Sequence, residues 1–218
     1  MKVSISTLRT LLVFFAVIFS VVPAAQADVN TDTAALQSEW DHINFTMKKE
    51  DQVKPLETLI TKAEAINAAN PGVAPTLIWE GIIHATYAGA KGGLGALGEC
   101  KTAKKLFEQS IAIDPQALNG AAYTSLGSLY YQVPGWPVGF GDDEKAEEML
   151  KKGLAAGPQD IDAYYFYGDF LVTQERWKEA ADILQKGLAT PNDGKRPLFQ
   201  KARRDKMTAL LKTAQAKH

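Results

Sequence analysis

The sequence predicts an all-α chain made of repeated helix pairs, with about nine helices in one domain. Prolines recur where helical patterns end, at Pro71, Pro115, Pro158 and Pro191, so their spacings are 44, 43 and 33 residues. A helix-turn-helix period of about 34 residues with two insertions explains these spacings. No segment shows the alternation of apolar and polar residues that is typical of a half-buried strand.

Small and bulky residues recur at fixed positions within this period. First helices of the third and fourth units carry Tyr123, Leu126, Gly127 and Tyr130, then Tyr164, Tyr167, Gly168 and Leu171. Second helices carry Ala103, Phe107 and Ser110, then Ala146, Leu150 and Gly153, then Ala180, Leu184 and Gly187. This pattern resembles the tetratricopeptide repeat (TPR). It predicts that a small residue on one helix lets its partner helix approach closely.

The repeat divides the chain into consecutive segments. Residues 1–27 are predicted as a signal peptide and residues 28–218 as a single TPR-type domain. We expect a degenerate unit at 36–73, units at 74–117, 118–160 and 161–194, and a capping helix at 197–217. The last segment is predicted to be amphipathic because apolar residues recur among its charges.

The first 27 residues have the organisation of a secretory signal peptide. Lys2 and Arg9 precede an apolar run at 11–22, and Ala25 and Ala27 supply the small residues of a cleavage site. The run is too short to favour a membrane-spanning helix. We therefore expect cleavage after Ala27 and export, to the periplasm if the source is Gram-negative. Retention of the segment as an anchor is the alternative.

Composition argues against several classes of function. The 24 Lys and Arg residues balance 25 Asp and Glu residues, so no strong field favours nucleic acid. Cys100 is the single cysteine, and His42, His84 and His218 lie in unrelated contexts. Neither a multi-cysteine zinc site nor a catalytic set stands out. We predict a protein that is not an enzyme, without cofactor or metal, and with membrane contact only peripheral if any.

Two insertions interrupt the repeat. Residues 89–98 are glycine-rich but lack the Gly-Lys-Ser/Thr pattern of a phosphate loop, so close helix packing or a turn is favoured. Residues 132–141 contain two prolines and three glycines, which exclude a regular helix. Trp136 and Phe140 in this loop either pack internally or contact a ligand or partner.

The acidic residues at 142–148 are expected to cap a helix, since the spacing of a calcium-binding EF-hand is absent.

A narrower resemblance rests on the second insertion. Residues 133–142 inside a TPR unit, together with 165–170 and 194–197, are similar to the TPR-type T-component family associated with tripartite ATP-independent periplasmic (TRAP) transporters. The resemblance covers roughly 75–206. It implies a subunit that partners a periplasmic solute-binding protein and helps to hand over hydrophobic ligands.

The TPR pattern also predicts which residues line the concave face. These are Ile78, Ile82, Ala85 and Thr86, then Thr124, Ser128, Tyr131 and Gln132, then Tyr165, Asp169, Val172 and Thr173. The set contains no Lys or Arg, which favours an apolar small ligand or a peptide without a bound terminal carboxylate. The basic stretch at 195–206 is predicted to be a solvated outer face, with contact to anionic lipid or an acidic partner as the alternative.

The expected function is therefore that of a periplasmic scaffold or adaptor. It would bind a protein partner through its concave face and the 132–141 insertion. Candidate contact residues are Tyr131, Gln132, Trp136, Phe140, Tyr165 and Asp169; packing of Tyr131 and Tyr165 between helices is the alternative. The second hypothesis is a TRAP-transporter accessory that partners a solute-binding protein and handles a hydrophobic small ligand. Nucleic acid is not an expected partner.

Overall fold

The computed structural model describes residues 22–217, with side chains described from Val29 onward except Leu94. This part of the chain contains nine α-helices and no strand, which confirms the predicted all-α class. The helices are α1 Val22–Thr46, α2 Val53–Ala69, α3 Ala74–Lys91, α4 Gly93–Ile113, α5 Ala121–Gln132, α6 Asp143–Ala156, α7 Ile161–Thr173, α8 Trp177–Leu188 and α9 Pro197–Lys217. Two short 3-10 turns occupy Lys49–Asp51 and Ala117–Gly120.

The predicted signal peptide lies mostly outside the described residues. Its residues 22–27 form the first turns of α1. Within residues 22–217, no helix is both long and apolar enough to cross a bilayer.

Three of the four repeat pairs pack through the small-and-bulky contact that the sequence predicts. A Cβ atom at Gly127 on α5 would lie only 2.7 Å from Leu150 Cγ on α6, so no larger residue fits without a shift. Leu150 is fully buried in this contact. Equivalent contacts join Gly81 to Phe107 and Gly168 to Leu184. The repeated glycine therefore sets how closely the two helices of a pair approach.

Prolines follow the second helix of each pair, as predicted. Helices α2, α4, α6 and α8 end two or three residues before the prolines, at Ala69, Ile113, Ala156 and Leu188. A proline disfavours helical conformation in the residue before it and lacks the N–H that would continue the helix.

The first insertion lengthens two helices and forms no extended loop. Helix α3 continues to Lys91 and α4 begins at Gly93, so Gly92 alone separates them. Gly92 has φ of +64°, a conformation that glycine adopts at no steric cost. The expected run of extra residues between the helices at 89–98 is therefore mostly helical.

Helices α1, α3, α5, α7 and α9 form the inner layer, in which each contacts the next. Helices α2, α4, α6 and α8 pack behind them. The core has three clusters of buried side chains, centred on Trp40 and Leu59, on Phe107 and Phe170, and on Leu184 and Met207.

The two ends of the inner layer also meet, because α9 contacts α1. Arg196 donates two hydrogen bonds to the Asp41 carboxylate, at 3.0 Å from Nε and 2.6 Å from Nη2. Its guanidinium carbon lies 3.8 Å from the ring centroid of Phe199, and that centroid lies 6.1 Å from the ring centroid of Phe45. We call this contact the α1–α9 closure. Helix α9 thus caps α8 as expected and in addition crosses to the concave side.

Candidate functional site

The closure leaves a central cavity of about 1470 Å³ between the inner helices. Its walls come from α1, α3, α4, α5, α7 and α9. Six of the predicted concave residues line it, namely Ile82, Ala85, Thr86, Ser128, Gln132 and Tyr165. Ile78 and Thr124 are instead buried between helices. The concave face is therefore the wall of a partly open chamber that α9 helps to line.

Aromatic side chains that the sequence analysis did not select form much of the wall. Trp40 on α1 and Trp79 on α3 lie with their ring centroids 6.0 Å apart. The Trp40 indole N–H donates to Thr86 Oγ1 at 2.8 Å, which fixes the ring against α3. Phe166 and Phe199 extend this apolar surface on α7 and α9.

The prediction of a concave side without Lys or Arg was wrong for the chamber as a whole. It holds for the lining residues of α3, α5 and α7, but α9 and the segment before it contribute Lys195, Arg196, Arg203 and Lys206 to the wall. The basic stretch was expected to be a solvated outer face, yet Arg203 is only 5% exposed. One face of α9 turns inward while its opposite face, with Lys201, stays in solvent. Phe199 in the middle of the basic stretch was the sequence signal for this inward face.

Arg203 lies at the junction of α7 and α9. It forms an ion pair with Asp162 of α7 through Nε. Its guanidinium carbon lies 4.1 Å from the ring centroid of Tyr165 and 5.1 Å from that of Phe166. Tyr165 thus lines the cavity as predicted, and its ring packs against the Arg203 guanidinium.

Two carboxylates at the start of α7 share this junction. Asp160 caps the helix by accepting a hydrogen bond from the backbone N–H of Asp162 at 2.9 Å. Burial and the charge of Asp162 raise the pKa of Asp160 to about 6. Both carboxylates line the cavity, so this wall carries mixed charge.

Three of the candidate residues come together in one hydrogen-bonded group. The Tyr131 hydroxyl donates to Asp169 Oδ2 at 2.7 Å and accepts from Gln132 Nε2 at 3.0 Å. Burial, and then the charge of Asp169, raise the pKa of Tyr131 well above its ordinary value. The ring of Tyr131 also packs on Phe170, with 5.6 Å between the ring centroids. Tyr131 and Asp169 therefore tie α5 to α7, and only Gln132 of the three lines the cavity.

The two candidate residues of the second insertion, Trp136 and Phe140, lie in different environments. Phe140 packs edge-on against Tyr130 with 6.0 Å between ring centroids, as an internally packed loop would require. Trp136 instead is 90% exposed, and Val138 beside it is 64% exposed. The loop that carries them is held by its own backbone, with hydrogen bonds from Gly139 N to Gly135 O at 3.0 Å and from Gly141 N to Pro134 O at 3.0 Å.

The acidic residues after this loop begin α6. Asp142 Oδ1 accepts from the backbone N–H of Lys145 at 3.0 Å, which is the predicted cap. The hydrogen bonds from Lys145 lower the pKa of Asp142. Over residues 22–217, no group of three His, Cys, Asp or Glu side chains is placed to hold a metal ion.

Residues 139–205, which run from the loop through α6, α7 and α8 into α9, match the Tetratricopeptide repeat family. This part of the chain carries tetratricopeptide repeats. Its fold is also that of TTC0263, a thermophilic TPR protein from Thermus thermophilus, with a TM-score of 0.55 and 17% identity over 89% of this chain and 91% of that one. MamA of AMB-1 has a TM-score of 0.48 and 18% identity, over 86% of this chain and 95% of MamA. No curated protein matches the sequence.

At 17% identity the likeness to TTC0263 shows the fold alone. TPR solenoids are in general non-catalytic protein-interaction modules whose stacked helices form a concave binding surface. In this TPR solenoid, α9 lies over part of that surface.

Proposed function

We propose that this protein is an exported TPR scaffold that binds a protein partner through the 133–141 loop, with Trp136 as the central contact. The observation that carries the proposal is the 90% exposure of Trp136 on a loop held by backbone hydrogen bonds. A tryptophan left in water forgoes on the order of 2 kcal/mol of burial free energy. Such a cost is offset when a partner covers the ring.

The loop is built in a way that favours binding. Hydrogen bonds between Gly135, Gly139 and Gly141 and their neighbours order its backbone, and Phe140 anchors it to α5. Ordering before binding reduces the conformational entropy that the complex would otherwise lose. Tryptophan is also among the residue types most enriched in the contacts that dominate interface affinity.

Site-specific photo-crosslinking in the native envelope tests this proposal. A photoreactive residue replaces Trp136 in one variant and Ile113 in a matched control, because Ile113 is an exposed apolar residue at the end of α4. We expect a defined crosslinked product from position 136 that is absent from position 113. Products identical at both positions, or none at position 136, would contradict the proposal.

Mass spectrometry of the product separates two forms of the proposal. An envelope-assembly or other membrane protein would indicate a general scaffold. A periplasmic solute-binding protein would indicate the transporter accessory. Export itself is tested by fractionation, with the N-terminus of the exported chain expected at Asp28.

The transporter accessory is the second candidate because of the cavity. A volume of about 1470 Å³ exceeds the range of roughly 300–1000 Å³ that is usual for small-molecule sites. Trp40, Trp79 and Phe199 give it an apolar aromatic wall. Such an apolar wall suits a hydrophobic small ligand. The α1–α9 closure lies across the concave side, along which a TPR solenoid would bind an extended peptide.

A further inference from the structure

Arg203 is a buried cation in the wall of the cavity. Its Nε pairs with Asp162, which is its one carboxylate partner among residues 22–217. The rings of Tyr165 and Phe166 lie against its guanidinium, which limits access by water. Buried donors are almost always satisfied, and a guanidinium has five of them. Arg203 lines the cavity, so its guanidinium is placed to meet an oxygen acceptor bound there.

A second cation lies one turn further along α9. Lys206 also lines the cavity, and it forms no ion pair within the part of the chain that the structure describes. Desolvation and the nearby charge of Arg203 lower the pKa of Lys206. An anion bound between Lys206 and Arg203 would relieve both of these costs.

The remaining charges of the wall are already engaged. Arg196 is held by Asp41 in the closure, and Lys195 Nζ lies 3.8 Å from Asp193 Oδ2. Asp160 is committed to the N-terminus of α7. Lys206 is therefore the one cation of the chamber wall without an ion pair among residues 22–217, and Arg203 beside it has a single carboxylate partner in Asp162.

An apolar path leads away from these two cations. Phe199 and Trp79 lie beside the closure, and Ile82, Leu97 and Val133 continue the lining toward α4 and the 133–141 loop. Cys100 lies on this α4 wall. The chamber thus offers charge at α9 and an apolar surface that runs from α3 to α4.

We propose that the cavity binds an amphiphile with a single acidic headgroup, held by Arg203 and Lys206, with its apolar chain along the Trp79, Ile82 and Leu97 wall. The inference rests on the second candidate function and names the class of its ligand. Guanidinium and ammonium groups recognise carboxylate and phosphate oxygens through charge-assisted hydrogen bonds. The shared chemistry is an acid on a long alkyl chain.

Calorimetric titration of the purified protein with four probes of equal chain length tests the proposal. The probes are dodecanoate, dodecyl phosphate, dodecanol and dodecyltrimethylammonium, each below its micelle concentration. We expect the better of the two acids to bind at least about tenfold more tightly than the alcohol or the cation. A tighter dodecanoate identifies a free fatty acid, and a tighter dodecyl phosphate identifies a phosphate-bearing lipid.

Variants of α9 supply the controls. Arg203→Gln and Lys206→Gln are each expected to reduce the preference for the acid over dodecanol by about threefold or more. Lys201→Gln removes a lysine of the same helix that is 78% exposed and outside the cavity, so it should leave every Kd unchanged. If Arg203→Gln fails to fold, Lys206→Gln decides, because Lys206 is an exposed residue without an ion pair among those described.

Cys100 provides a second readout that needs no substitution. It is the single cysteine, it is half-buried, and it lines the chamber. Burial raises the pKa of its thiol, so alkylation is followed at about pH 8.5. A bound dodecyl chain should slow alkylation of Cys100, and octanoate should slow it less because its chain is shorter.

Three results would overturn the inference: dodecanol binding as tightly as the acids, an acid preference unchanged in Lys206→Gln, or no binding by any probe. The first would leave the hydrophobic-ligand function standing and remove the acid alone. The third would remove the ligand function as well. The second would show that Lys206 does not hold the headgroup. None of the three results bears on the scaffold function, which depends on crosslinks from position 136.

Discussion

The repeat pairs and the α1–α9 closure are held together in different ways. Within a pair, a glycine on one helix contacts a bulky residue on the next, as Gly127 contacts Leu150, and the same contact recurs in three units. The closure joins Asp41 to Arg196 across 155 residues of sequence, with a charge pair and aromatic rings. The difference separates two tasks. Repeated apolar contacts build the solenoid, and a single polar contact turns its concave face into a chamber.

The largest predicted loss of stability comes from disrupting a contact within a repeat pair. Leu150 is fully buried against Gly127, so Leu150→Ala removes apolar contacts and leaves a cavity. We expect the free energy of unfolding to fall by about 2–5 kcal/mol, measured by urea denaturation. A loss below about 1 kcal/mol would mean that the α5–α6 pair does not carry the solenoid.

The next largest loss of stability is expected from a substitution that disrupts the α1–α9 closure. Arg196→Ala removes both hydrogen bonds to Asp41 and the contact with Phe199. We expect a smaller loss of about 1–2 kcal/mol, with faster amide exchange in α1 and at the start of α9 while α5 and α6 stay protected. Arg196→Lys keeps the charge but not the paired geometry, so its effect should lie between wild type and Arg196→Ala. Equal acceleration of exchange in all helices would contradict a separable closure.

A third prediction compares a paired carboxylate of the closure with an unpaired carboxylate of the repeat, through the pH dependence of stability. Asp41 in the closure has a cation, whereas Glu80 in α3 is buried with Oε2 unpaired among the described residues, and burial raises the pKa of Glu80. The unfolded chain then ionises first, so wild-type stability falls as pH rises from the unfolded pKa toward the raised one. Glu80→Gln should therefore raise Tm by about 2 °C or more at pH 8 and by less at pH 4.5.

The control for that prediction is Glu50→Gln, which neutralises an exposed carboxylate in the 3-10 turn before α2. It should leave Tm nearly unchanged at both pH values. A Glu80→Gln variant that is less stable than wild type at pH 8 would show that the carboxylate is stabilising in the fold.

The smallest stability effect belongs to the exposed loop. Trp136 is 90% exposed, so Trp136→Ala should change the free energy of unfolding by less than about 0.5 kcal/mol. Phe140→Ala in the same loop should destabilise more, because Phe140 packs on Tyr130. Parallel urea titrations measure both. Equal losses would mean that Trp136 contributes to folding, and the crosslinking test would then lose its interpretation.

Most of the fold could be predicted from local sequence patterns. The spacing of prolines and the Gly and Leu positions predicted the helix pairs, because each pair is formed by residues within about 35 positions of one another. In the degenerate first unit, Asn44 stands where other units have glycine, and it lines the cavity. Repeat arithmetic places helices in order but does not say whether the two ends of the solenoid meet.

The site was predicted in part. Offsets within the repeat found Tyr165, Ile82 and Gln132 in the concave wall. They could not find Arg203, because the offsets were applied only to the first helices of units that end at residue 194, and the basic stretch has the composition of a solvated face. The pairing of Asp41 with Arg196 is a contact between the ends of the chain, and no local pattern encodes it.

The most direct test of the account is a distance between spin labels on α1 and α9. Labels at His42→Cys and Lys201→Cys, both exposed positions, are introduced with Cys100→Ser as the background substitution. The closure predicts one short and narrow distance distribution, which Arg196→Ala should broaden. A long or broad distribution in the parent protein would show that α1 and α9 do not meet and would contradict the closure.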